Sequence, residues 1–159
     1  MIYAPAGMID TGSFEVDAST PNLAEGYTAG GEDRLAPGQA LRNNIYTRPA
    51  RGSAAGGGYS TAEDLLRLIR TLKAGRLLGP AGTAWVLGGP EPGTAKPGTP
   101  GGGSPLPLGI AGGAPGINAD LELNGGDVVI VLSNLDPPAA RRVGSLVAHW
   151  LEALGPAAR

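Results

Sequence analysis

Ile117-Asn118-Ala119-Asp120-Leu121-Glu122-Leu123-Asn124-Gly125-Gly126-Asp127-Val128-Val129-Ile130-Val131-Leu132 carries two apolar patterns on either side of a turn signal. Before the turn, Ile117, Ala119, Leu121 and Leu123 alternate with Asn118, Asp120 and Glu122, as in a strand with one buried and one wet face. After it, Val128 to Leu132 is apolar at every position, as in a strand covered on both faces. Asn124-Gly125-Gly126 supplies the residues that a tight hairpin turn needs, so the two runs predict an antiparallel pair.

Working outward, Asp136-Pro137 can cap a last helix over 136–155. Its Val143, Leu146, Val147, Trp150, Leu151 and Leu154 form one stripe before Gly155-Pro156 stops it. That stripe is expected to pack on the sheet. Upstream, Ser60-Thr61-Ala62-Glu63 has the hydroxyl and glutamate spacing of a helix start, followed by Leu65, Leu66, Leu68, Ile69 and Leu72. With Gly75 as a stop, a helix is predicted at 61–74, inside a 60–75 segment. Residues 1–59 read as loops with short strands or turns. Residues 88–105 are Gly, Pro, Thr and Ser with little to bury and read as a flexible loop, and strands fill 106–135. The expected fold is a single α+β domain: an antiparallel sheet of about three to five strands, a packed C-terminal helix and long Gly/Pro-rich loops.

Composition narrows the partners. The 159 residues suit one domain, and 42% of them are apolar despite 28 Gly and 15 Pro. A formal charge of −2 offers no attraction to nucleic acid or to an acidic membrane, and no run approaches the ~18 apolar residues of a membrane span. A small-molecule substrate is the expected partner. The absence of cysteine excludes disulfides and thiolate chemistry. Met1-Ile2-Tyr3-Ala4-Pro5 lacks the order of a signal peptide, so the cytoplasm is the default expectation.

Four blocks in order carry a family likeness: Gly7-Met8-Ile9-Asp10-Thr11-Gly12, Pro21-Asn22-Leu23-Ala24-Glu25-Gly26-Tyr27, Gly52 to Leu66, and Gly112-Gly113-Ala114-Pro115-Gly116-Ile117-Asn118-Ala119 with the strand ending Leu132-Ser133-Asn134. Together they resemble serine β-lactamase-related and penicillin-binding-type esterases over nearly the whole chain. That family uses a serine with lysine three residues on, a Tyr-x-Asn motif, and a Lys/His-x-Gly strand that binds substrate and helps form the oxyanion hole. No serine in this chain has lysine three residues later, and no tyrosine has asparagine two later. Ile110-Ala111-Gly112 stands where the third motif belongs. The resemblance therefore implies a truncated β-lactamase-like domain over 1–159, carrying the C-terminal half of that fold. It also implies that the Ser53–Tyr59 stretch lies along a wall of the substrate cleft, which makes Arg51, Ser53, Tyr59 and Asn118 the candidate substrate-binding residues.

With those motifs and cysteine gone, carboxylates remain. Asp120 and Glu122 share one strand face with their bases roughly 7 Å apart, a spacing suited to acid–base work on a glycoside-like bond. They are the candidate catalytic pair of a minimal hydrolase without a serine nucleophile, acting on glycosides or else esters, with no cofactor and no metal. The alternative is a non-catalytic remnant that binds a ligand or partner, or half of a split serine hydrolase. Asp10-Thr11-Gly12-Ser13 resembles an aspartic-protease triplet but lacks the flanking apolar strands, and reads as a turn. His149, the only histidine, has no companions for a triad. Arg34, Arg42, Arg48 and Arg51 give the loop region a basic bias that an anionic ligand could use. Finally, a sheet lacking the family's N-terminal strands would leave an edge open, so a homodimer through that edge or by exchange of elements is expected.

Overall fold

The computed structural model describes residues 2–30, 38, 40–89, 109–124 and 126–154. In chain order the elements are α1 (Tyr3–Ala6), β1 (Tyr27–Thr28), β2 (Arg42–Asn43), a 3-10 turn (Ile45–Thr47), α2 (Ala62–Lys73), α3 (Pro80–Val86), β3 (Gly109–Ala114), β4 (Ile117–Asn124), β5 (Asp127–Ser133) and α4 (Ala139–Leu154). The α+β class is as expected: β3, β4 and β5 form an antiparallel sheet in that order, and β1 with β2 a separate ribbon. The hairpin forms where the turn signal lies, with Asn124 opposite Asp127. β3 and β4 meet at Pro115-Gly116, where Gly116 sits at φ +70° and an added Cβ would lie 2.9 Å from the Tyr27 nitrogen and from the Asn44 Cβ. Only glycine meets both demands.

α2 begins one residue later than the box at Ser60 suggests. Thr61 is the cap, its hydroxyl accepting from the Asp64 N–H at 3.1 Å. The helix ends as read, with Gly75 left-handed at φ +66° and its N–H donating to the Leu72 carbonyl. α3 was not foreseen; Pro80 in its first turn is the one local signal it offers. The 88–105 loop, from residue 90 onward, and the Gly155-Pro156 stop lie outside the described residues.

The polar face of β4 is not wet. Asn118 and Asp120 are 6% and 4% exposed, whereas Ile117 on the apolar face is 37% exposed. The reason is that α4 packs on the polar side, lying across β4 and β5. Asn118 serves the helix directly: its Oδ1 accepts from the N–H groups of Ala140 (2.7 Å) and Arg141 (3.4 Å), and its Nδ2 donates to the Gly112 carbonyl. The side-chain cap of α4 thus comes from a strand, and Asp136 contributes only its backbone carbonyl, which accepts from the Ala139 N–H at 3.2 Å.

The large apolar stripe of α4 does not turn inward either. Ala140, Gly144 and Ala148 are buried, Val147 and Leu151 are half-buried, and Val143, Leu146, Trp150 and Leu154 are 50%, 49%, 58% and 59% exposed. Small residues face the sheet because the helix must come close enough for Asn118 to reach its N-terminus. A Cβ on Gly144 would run into the Asp120 carboxylate. β5 is covered less than expected of a strand buried on both faces, with Val129 buried, Val128, Ile130 and Val131 half-buried and Leu132 43% exposed, and α2 also packs on it.

Among the described residues the buried apolar side chains are few: Ala6, Met8, Ile69, Leu72, Leu121, Val129, Ala140 and Ala148. Thr28, Asn44, Asp64, Asn118, Asp120 and Asp136 are buried among them. Buried hydrogen bonds therefore specify much of how the loops join the sheet.

Candidate functional site

Residues 12–16 run antiparallel to residues 50–59. Gly12 and Tyr59 exchange backbone hydrogen bonds of 3.0 and 2.8 Å, Glu15 bridges to Arg51, and the Val16 N–H donates to the Ala50 carbonyl. The Ser13 hydroxyl adds a bond to the Gly52 carbonyl at 2.8 Å. This loop pair is rooted in Asp64 of α2. The Asp64 carboxylate is fully buried and accepts from the Asp10 N–H (2.8 Å), the Thr11 hydroxyl (2.7 Å) and Arg67 (2.7 Å), which also pairs with Glu63. Burial pushes its pKa up, but the bonds from Thr11, the Asp10 N–H and Arg67 outweigh burial and hold it below the ordinary carboxylate value. The Asp10-Thr11-Gly12 triplet thus anchors a turn through its N–H and hydroxyl, with the Asp10 side chain outside.

Three of the four expected binding residues come together on this pair. Ser53 closes a tight turn with Gly56, and its exposed hydroxyl oxygen accepts from the Ala55 N–H at 3.2 Å. Arg51 is exposed and pairs with Glu15 at 3.3 Å. Tyr59 is half-buried, its ring 5.8 Å from that of Phe14. Arg48 lies over the Tyr59 ring, 5.2 Å from its centre, and donates to the Tyr59 hydroxyl. The result is a cationic and aromatic surface beside an exposed serine.

Asn118 stands apart, buried and committed to α4 and β3. Asp120 and Glu122 share its face beneath α4. Asp120 Oδ2 is buried without a hydrogen-bond partner among the described residues, next to Gly144, and Glu122 is half-buried. Ile110-Ala111-Gly112 lies in the middle of β3, a strand exposed throughout that pairs with β4 alone among the described strands. Arg34 lies outside the described residues, and Arg42 packs beside Gly30. His149 is exposed. Among the described residues, no three His, Asp or Glu side chains gather as a metal site.

Phe14 and Asp64 do not stand out in the sequence. The one signal for Phe14 is that it is the only phenylalanine in the chain, and for Asp64 that it follows the capping threonine by three residues.

The architecture recurs in known proteins. The structure superposes on a penicillin binding protein from Bacillus halodurans with a TM-score of 0.71 and 23% identity, covering 92% of this chain and 47% of that one. The chain thus spans about half the length of that relative, and a likeness at this identity speaks for the fold alone. No curated protein matches by sequence. The family model described as Beta-lactamase matches residues 1–152. The four sequence blocks, the sheet with its C-terminal helix and this match agree: the chain belongs to the β-lactamase family.

Proposed function

We propose that the chain is a ligand-binding module of hydrolase-type fold that takes a small aromatic or carbonyl-bearing carboxylic acid on the surface formed by Arg48, Arg51, Ser53 and Tyr59, and binds it without acylation. What carries this reading is the Arg48 guanidinium held against the ring and hydroxyl of Tyr59. A guanidinium so fixed has already lost much of its rotamer freedom and keeps donors for a carboxylate. Phe14, 41% exposed, offers a neighbouring apolar contact, and Ser53 a hydroxyl. No serine of the sequence has lysine three residues on, so this surface by itself holds no nucleophile and base pair of the family's kind.

Benzylpenicillin, which joins a carboxylate, an aromatic ring and a reactive carbonyl, is the probe. Titration followed by amide NMR is expected to move the signals of residues 51–59 saturably, and Arg48→Ala is expected to weaken binding about tenfold. The mass of the protein should stay unchanged. An acyl adduct or turnover of the lactam would refute the non-acylating part, and unshifted spectra at millimolar ligand would refute the site.

A second reading has one observation in its favour, the buried Asp120 Oδ2 without a partner among the described residues. In it, Asp120 and Glu122 activate water against glycosides or else esters, with α4 moving aside to admit substrate. Chromogenic glycosides and esters decide it: turnover that disappears in both Asp120→Asn and Glu122→Gln supports the pair, and turnover indifferent to them excludes it.

A further inference from the structure

The Asn44 side chain does not serve the turn it begins. It stands at the head of the 3-10 turn Ile45–Thr47, where an asparagine side chain ordinarily caps the free N–H groups that follow it. Here the side chain makes no such bond. Its Nδ2 instead donates to the Pro115 carbonyl at 2.9 Å, 71 residues away along the chain, and no described residue donates to its buried Oδ1. The residue is 1% exposed. Two glycines shape the slot that holds it: a Cβ on Gly26 would collide with the Asn44 amide, and one on Gly116 would lie 2.9 Å from the Asn44 Cβ. The Asn44 N–H closes the slot by donating to the Gly26 carbonyl at 2.9 Å.

From this fixed point the chain leads directly to Arg48. The Asn44 carbonyl accepts from both the N–H (2.9 Å) and the hydroxyl (2.8 Å) of Thr47, so the turn is closed at the residue before Arg48. Arg48 then leaves in extended conformation, φ −88° and ψ 146°, and its guanidinium reaches the Tyr59 ring.

We infer that Asn44 is a positioning residue for Arg48: its side-chain amide, held between Gly26, Gly116 and Pro115, fixes the 3-10 turn that carries the guanidinium to Tyr59. A binding group has to be held to within about 0.5 Å to keep its geometry. A long-range bond at the head of a three-residue turn supplies that constraint, which a local cap cannot, because a cap moves with the turn. The consequence for a ligand rests on the reading of the Arg48–Tyr59 surface as a carboxylate site; the placement of Arg48 does not.

The δ-methylene protons of Arg48 in the ligand-free protein read the placement directly, since the ring current of Tyr59 shifts them upfield. Asn44→Ala is expected to move them toward their random-coil position while circular dichroism still reports a folded chain. Benzylpenicillin reads the consequence. Asn44→Ala should weaken its binding about tenfold in the wild-type background and less than about twofold in Arg48→Ala, because a residue that acts only through Arg48 then has nothing to place. General loosening of the fold would weaken both backgrounds alike. Should Asn44→Ala not fold, Asn44→Asp keeps the size of the side chain. Its ionised carboxylate turns an acceptor toward the Pro115 carbonyl, whereas the protonated form can donate in place of Nδ2. The Arg48 shift is therefore expected to be lost at about pH 9 and regained as pH falls, relative to wild type over the same range. Asp136, which accepts from the Gly116 N–H at this turn, stays ionised there because its pKa lies below the ordinary value. An Arg48 signal unmoved by Asn44→Ala, equal losses in the two backgrounds, or an Asn44→Asp signal indifferent to pH would each overturn the proposal. A wild-type protein that binds no benzylpenicillin overturns the ligand reading alone, and the Arg48 signal still decides the role of Asn44.

Discussion

Asp136 shows how a single buried carboxylate can do the joining that a larger core does elsewhere. It is 5% exposed and accepts from the N–H of Ala29 at 2.8 Å and of Gly116 at 2.6 Å, tying the segment after β1 to the turn between β3 and β4. Asp136→Ala is therefore expected to cost about 2–4 kcal/mol, since two N–H groups lose their acceptor together, and a urea unfolding curve would read it. Thr61→Ala removes only an exposed cap and should cost about 1 kcal/mol. Equal losses in the two variants would show that burial does not set the cost.

At the level of the element, α4 inverts an ordinary expectation. Glycine inside a helix usually weakens it by about 1 kcal/mol relative to alanine, so Gly→Ala at an unconstrained site stabilises. Gly144 faces Asp120, where a methyl group has no room. Gly144→Ala should instead destabilise by about 1–3 kcal/mol. Adding Asp120→Ala ought to restore most of the loss, because the methyl group would then fill the space the carboxylate leaves. Thermal denaturation of the two single variants and the double variant makes the cycle, and additivity would show that the pair does not touch. The helix was legible from its stripe, but the stripe pointed to the wrong packing face and Asp136 to the wrong side-chain cap. Periodicity reports where large apolar residues lie. It does not report that a polar strand needs small ones opposite.

For the whole molecule, acid should loosen the contacts that carboxylates make between distant segments. At Asp136, burial raises the pKa, but the N–H groups of Ala29 and Gly116 and the Thr28 hydroxyl outweigh it, so the net shift is downward, as at Asp64. A depressed folded-state pKa stabilises above the unfolded value, about 4 for aspartate, and that contribution is lost as pH falls through the folded value. The melting temperature is expected to be level near neutrality and to drop below about pH 4, with Asp136→Asn showing a shallower drop. An identical acid limb in wild type and variant would exclude this origin. The candidate site was legible in the same partial way. The Ser53–Tyr59 stretch stood out by its place among the family blocks, but its partners Phe14 and Arg48 reach it from 45 and 11 residues away along the chain.

By itself the sequence determined the β4–β5 hairpin, the limits of α2 and the family likeness, because alternation, turn residues and caps act between near neighbours in the chain. The tertiary structure alone decided that Asn118, not Asp136, caps α4 with its side chain, that Asp120 is buried, and that Val143, Leu146 and Trp150 face outward. Each of these depends on which surfaces approach within a few ångströms, and that closeness is a property of the assembled sheet and helix rather than of any local pattern.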